Sequence, residues 1–146
     1  MTMNDDWLRA QRELSAHDEL GCVACRGDET LTGTGRGVKP LLAWLAAGQR
    51  LDGFSASDRV IGKAAAMLYI QLGAVAVHGH VMSEAGLAML QAHHVEAAYD
   101  ELVPMIRNRA NTGMCPIEQS VRDIDDPAQA EAPIRAAVAQ LMAARS

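Results

Sequence analysis

Four short stretches hold the residues that could do chemistry. The first is GTGRGVKP, Gly33 to Pro40. Glycines let a backbone gather N–H groups into an anion-binding nest, and a helix start lies just behind. Gly35 and Gly37 would supply that freedom, while Arg36 and Lys39 add positive charge. The spacing is not that of a Walker A loop, and Pro40 follows Lys39 where that motif needs Ser or Thr. A plain turn between a hairpin and a helix is the simpler alternative.

The second stretch is SASDRVIGKAAA, Ser55 to Ala66. Asp58 reads as a helix cap, with the helix running from about Arg59 to Leu72. Lys63 is the only charged residue in the fourteen that follow Arg59. A lysine buried there needs a partner or loses its proton. Otherwise it snorkels outward from a helix edge.

The third is VHGHVMSEAG, Val77 to Gly86. His78 and His80 are two apart, so on a strand they share a face, which is weak evidence for a metal site. No metal is expected. Ser83 and Glu84 suit a helix start, where a hydroxyl caps and a carboxylate meets the positive helix end.

The fourth is NRANTGMCPIE, Asn108 to Glu118. Pro116 would be the first helical residue, Cys115 its cap and Glu118 the third helical position, as in a capping box. A cysteine at a helix start has a more populated thiolate, and Arg107 or Arg109 would push the same way. Asn108, Asn111 and Thr112 offer neutral hydrogen-bonding groups. The segment reads either as an anion-holding pocket with a nucleophile or as a rigid polar turn. Cys22 and Cys25 form a CxxC, but in a strand an offset of three sends the side chains to opposite faces. No second CxxC completes a zinc site, so this pair reads as structural.

The elements that must position these groups follow one another along the chain. Asn4 to Asp6 cap a helix to about Ala16, with Trp7, Leu8, Gln11 and Leu14 as its apolar edge. LGCVACRGDETLTG reads as a hairpin around Gly27-Asp28. Pro40 opens a helix that Gly48 ends, and GFSAS is a short strand. The next helix is apolar around most of its circumference and so central, and Gly73 stops it. AVAVH is a strand covered on both faces, Ser83 caps a third helix, and VEAAY is a further strand before a turn at Asp100. PIEQSV and the segment after Asp126-Pro127 are the closing helices, the last with Ile134, Ala137, Val138, Leu141 and Met142 on one face. Strands alternating with helices make a three-layer α/β/α sandwich with a mixed sheet of about five short strands. One domain is expected, with an N-terminal helix over 5–16, an α/β core over about 20–110 and closing helices over 116–144.

Composition excludes several classes. The 146 residues carry a net charge of -5 and no long basic run, so no nucleic-acid partner is expected. Aromatics are 3% of the chain, too few for a base-stacking platform. Neither a secretory signal nor an eighteen-residue apolar run is visible, and three cysteines suit a reducing compartment. A cytoplasmic protein with no membrane contact is expected. Ala-rich helices bury little area each, which favours a homo-oligomer, most simply a dimer.

Taken together, TGTGRGVKPLLAWL, GFSASDRVIGKAAAML, VMSEAGLAML and YDELVPMIRNRANTGMCPIEQSV resemble in order a family of small bacterial and archaeal proteins, the domain of unknown function DUF1893. IDDPAQAEAPI fits the same pattern, so the resemblance spans nearly the whole chain. It implies a cytidine-deaminase-like fold and brings no established activity. Zinc deaminases place His or Cys ligands at two helix starts. The corresponding starts here, SDRVIGK and MSEAG, offer neither, so no zinc cofactor is implied. The fold would place a pocket at those two starts, gathering Asp58, Arg59, Lys63, Ser83 and Glu84, with Gly33–Lys39 and Asn108–Cys115 closing it. The leading expectation is an enzyme acting on a small anionic or nucleotide-like molecule. Lys63 would hold charge, Asp58 or Glu84 would serve as acid or base, and Cys115 would be a donor or nucleophile. A metabolite-sensing module or a structural homodimeric subunit would be the alternatives.

Overall fold

A computed structural model describes residues 4–145. Helix α1 (Asp5–Ala16) begins where Asn4 accepts a hydrogen bond from the Trp7 amide at 2.7 Å. Strands β1 (Leu20–Arg26) and β2 (Glu29–Thr34) form the expected hairpin, turning at Gly27. Helix α2 (Lys39–Ala46) follows, then strand β3 (Ser55–Ile61) and helix α3 (Lys63–Leu72). Strand β4 (Ala76–Ser83), helix α4 (Glu84–Ala92) and strand β5 (Glu96–Val103) complete the core. Helix α5 (Pro116–Val121), a 3-10 turn (Pro127–Gln129) and helix α6 (Glu131–Arg145) close the chain.

The sheet order is β2-β1-β3-β4-β5. The hairpin strands and β3 run antiparallel, whereas β3, β4 and β5 run parallel. Alternation along β1 divides two cores. Cys22 and Ala24 join α2, α3 and α4 on one face, and Val23 and Cys25 join α1 on the other. The three layers are therefore α1, the sheet, and the packed helices. The two CxxC cysteines face opposite sides, as their spacing requires.

Three local expectations change. Asp58 is not a helix cap: the strand continues through Ile61, and α3 starts at Lys63 behind Gly62. The run SASDRVI pairs with β1 and β4 on both sides, and this pairing overrides the helix signal. Asp100 likewise lies inside β5 and not in a turn. On α1 the buried edge is Trp7, Ala10 and Leu14, while Leu8 is exposed. Trp7 is fully buried and its indole donates to the Ala56 carbonyl at 3.1 Å, pinning α1 across β3.

Glu118 also departs from the capping-box expectation. Its carboxylate accepts from the amides of Lys63 at 2.7 Å and Ala64 at 3.0 Å. It thus caps α3, not its own helix. Gly62 makes this contact by having no side chain, since a Cβ there would fall 2.2 Å from Glu118 Oε1. Glu118→Ala should leave two amide donors unsatisfied and cost about 2–3 kcal/mol. Urea unfolding of the variant beside the parent protein reads that loss, and an unchanged midpoint would remove the carboxylate from the stability account.

Candidate functional site

Strand β3 delivers Asp58 to the base of a cleft of about 550 Å³. The other walls are Asp18 to Gly21 after α1, Gly35 to Gly37 before α2, and Arg59 and Val60. Gly35 (φ +103) and Gly37 (φ +61) adopt conformations that favour glycine, so the loop's shape is written in its residue types. Arg36 is exposed between them, and its guanidinium has no partner among the described residues.

Asp58 is 3% exposed. Its Oδ2 accepts from the Tyr69 hydroxyl at 2.7 Å and its Oδ1 from the Val60 amide at 3.3 Å. Burial raises its pKa to about 7, with these bonds and Arg59 pulling the other way. Tyr69 ionises well above its ordinary value, first because it is buried and then because Asp58 is beside it. Its hydroxyl therefore stays a donor. The Cys22 thiol, which pairs across the sheet with Asp58, is also pushed up by burial and by that carboxylate. Cys22 is accordingly a neutral thiol and not a nucleophile.

Arg59 lines the same cleft, but its guanidinium is committed. It donates to the carbonyls of Leu14 at 2.9 Å, His17 at 3.0 Å and Leu20 at 3.2 Å. It therefore closes the end of α1. Lys39 is exposed in the first turn of α2 and lies outside the cleft walls.

The other expected residues sit elsewhere. Lys63 lines a separate groove between α4 and α5. Ser83 is buried and its hydroxyl caps α4 by accepting from the Gly86 amide at 3.0 Å. Glu84 is exposed on the first turn of α4 and belongs to neither the cleft nor the groove. Cys115 borders a small cavity of about 70 Å³ with Gly37, Gly62 and Glu118, and its thiol makes no capping bond to α5. Asn108 and Thr112 satisfy each other: the Thr112 amide donates to Asn108 Oδ1 at 2.9 Å, and Asn108 Nδ2 donates to Thr112 Oγ1 at 3.0 Å. Asn111 turns the chain at φ 58, and Arg109 is exposed. This segment is a self-bonded loop, closed where the Cys115 amide donates to the Ile106 carbonyl at 2.9 Å.

One constellation was not visible beforehand. Ser57 Oγ lies 2.8 Å from His78 Nδ1, His78 Nε2 lies 3.1 Å from Asp100 Oδ1, and His80 Nδ1 lies 2.9 Å from Asp100 Oδ2. Partial burial works against ionisation of Asp100, but the two imidazoles hold its pKa below the usual range. An ionised Asp100 only accepts, so His78 donates to it from Nε2, and Ser57 meets the other ring nitrogen, Nδ1. Ser57 is fully buried, which removes it as a nucleophile for a dissolved substrate. The shared face of His78 and His80 was legible. Reading Asp100 as strand would have supplied their partner.

A scan of family models matches residues 9–137 to the domain of unknown function DUF1893. The chain belongs to the DUF1893 family. The crystal structure of a DUF1893 family protein, TM1506, from Thermotoga maritima at 2.70 Å resolution is similar to it. The two share 25% sequence identity at a TM-score of 0.78, over 95% of this chain and 92% of that one. No curated protein matches the chain. A zinc ion of the deaminase kind does not fit this DUF1893 protein. The α3 start offers amides already taken by Glu118, and no His or Cys stands at the start of α3 or α4. No described residues form a group of three or more His, Cys, Asp or Glu suited to a metal. No described helix is long and apolar enough to cross a membrane.

Asp58 makes the site's chemistry measurable. Its folded pKa of about 7 exceeds the ordinary 3.8, so the folded state holds the proton more tightly. Its favourable contribution is complete at low pH and is lost as pH rises through about 7. The melting temperature of the parent protein should therefore fall, relative to Asp58→Asn, by several degrees between about pH 5 and about pH 8. Parallel melting curves across that range would place the Asp58 ionisation elsewhere.

Proposed function

We propose that the Asp58 cleft binds a small anionic, nucleotide-like molecule and that Asp58 exchanges a proton with it. The buried carboxyl at the base of an open cleft carries this reading. A group half-protonated near neutrality can either donate or accept, which is what acid–base chemistry needs. The cleft's volume falls in the range of small-molecule sites. Its charges are also split. Arg36 is free to meet an anion, while Asp18, Glu19 and Asp58 can take donors from an amino-bearing ring.

Arg36 and Asp58 thus have separable tasks, one for affinity and one for chemistry. Isothermal titration with nucleoside monophosphates and the matching nucleosides tests both. Arg36→Ala should weaken a phosphate-bearing probe about tenfold and leave the nucleoside unchanged, as expected for one charge-assisted bond at a partly open site. Asp58→Asn should retain phosphate binding. If a bound probe is turned over, that variant should lose the turnover, and binding without turnover by the parent would make the protein a sensing module. Absence of binding by the whole panel would reject the nucleotide-like ligand.

A further inference from the structure

The groove between α4 and α5 is a second site of different character. It encloses about 420 Å³ and is distinct from the Asp58 cleft. One wall is apolar, formed by Ala85, Ala88, Met89 and Ala92 on α4, and Met114 also lines the groove. Lys63 supplies a cation, and only 13% of its side chain is exposed.

The bonding of that ammonium is incomplete. Three donors are available on Nζ. One reaches the Arg122 carbonyl at 2.9 Å. The carboxylate paired with it is Asp125, at 3.7 Å, whose own side chain is 98% exposed. Such a pair is heavily screened. Glu118 is close, but its two oxygens are held by the Lys63 and Ala64 amides. A half-buried cation therefore faces an apolar trough without a tight anionic partner.

We propose that this groove binds an aliphatic carboxylate, its acid group on Lys63 and its chain along the alanine wall. From Ala85 to Ala92 the helix rises about 10 Å, the length of an extended chain of roughly eight carbons. Burying the chain against Ala88, Ala92 and the two methionines supplies affinity without specificity. The Lys63 contact selects the acid. The proposal does not depend on the function assigned to the Asp58 cleft.

Octanoate and 1-octanol are the probes, titrated into the whole protein by calorimetry. Octanoate should bind at least tenfold more tightly than octanol. Lys63→Met should reduce octanoate to the level of octanol, and Lys63→Arg should keep the preference. Ala88→Trp, a change at an exposed wall position, should remove both probes. Arg36→Ala should leave octanoate untouched, which separates this site from the cleft. The proposal fails if neither probe binds, if both bind alike to the parent protein, if Lys63→Met keeps the preference, or if Ala88→Trp leaves octanoate bound.

Discussion

The carboxylate of Glu118 at the start of α3 is the interaction on which the rest of this structure depends. A helix start leaves amide donors without partners, and inside a protein those donors must be met. Here the partner comes from 54 residues away in sequence, and its side chain is buried against the helix it caps. Burial raises the pKa of Glu118, and its bonds to the Ala64 and Lys63 amides draw it back. The same contact fixes where α5 sits against the central helix. From there α6 follows, with Ile134 in the main core. The groove beside Lys63 and the small cavity at Cys115 are both bordered by Glu118. Two glycines permit this closeness. Gly62 leaves space for the carboxylate, and Gly86 lets α4 start against the β3–α3 turn, where a Cβ would lie 3.0 Å from the Ile61 carbonyl oxygen.

That arrangement also leaves neither helix start free for a zinc ion of the deaminase kind. A zinc deaminase uses the paired helix starts to hold a metal and its water. In this chain one start is filled by an acid of its own sequence, and the other is capped by Ser83. The cleft that Asp58 borders lies beside the end of β3 and the glycine loop. What the fold supplies there is desolvation. Asp58 is held at the edge of the core, with Tyr69 and Cys22 as neutral neighbours. The high proton affinity of Asp58 follows first from its burial.

Much of the fold was readable because periodicity and breakers agreed. The hairpin, the end of α3 at Gly73 and the Ser83 cap all satisfy local rules at once. The misreadings share a cause. SASDRVI carries a cap residue followed by apolar positions, which is a helix signal in isolation. Pairing with β1 and β4 on both edges decides otherwise, and no local pattern reports that pairing. Asp100 is a second case: turn chemistry suggested an ending, but the parallel ladder with β4 runs on to Val103. The glycine loop and Asp58 stood out by type, and both line the same cleft. That Lys63 and Glu84 stand apart from them was not legible, because both were rightly read near helix starts, and only the packing of α4 and α5 shows that Lys63 borders the groove and Glu84 neither cavity.

Which charged residues remain available for ligands follows from hydrogen-bond capacity rather than from charge. Arg59 looks like an anion contact in sequence, yet three carbonyls at the end of α1 use its guanidinium. Asn108 and Thr112 look like ligand donors, yet they bond each other. Glu118 looks like part of a local cap, yet it holds a distant helix. Each is consumed by backbone or loop groups that folding must satisfy first. What is left over is Arg36, with no partner among the described residues, and Lys63, with spare donors in a half-buried groove. Each borders its own cavity. A single site gathering every conspicuous polar residue would require donors that the fold has already spent. The bonds the protein makes leave Arg36 at one cavity and Lys63, bonded to the Arg122 carbonyl and paired with the exposed Asp125, at another.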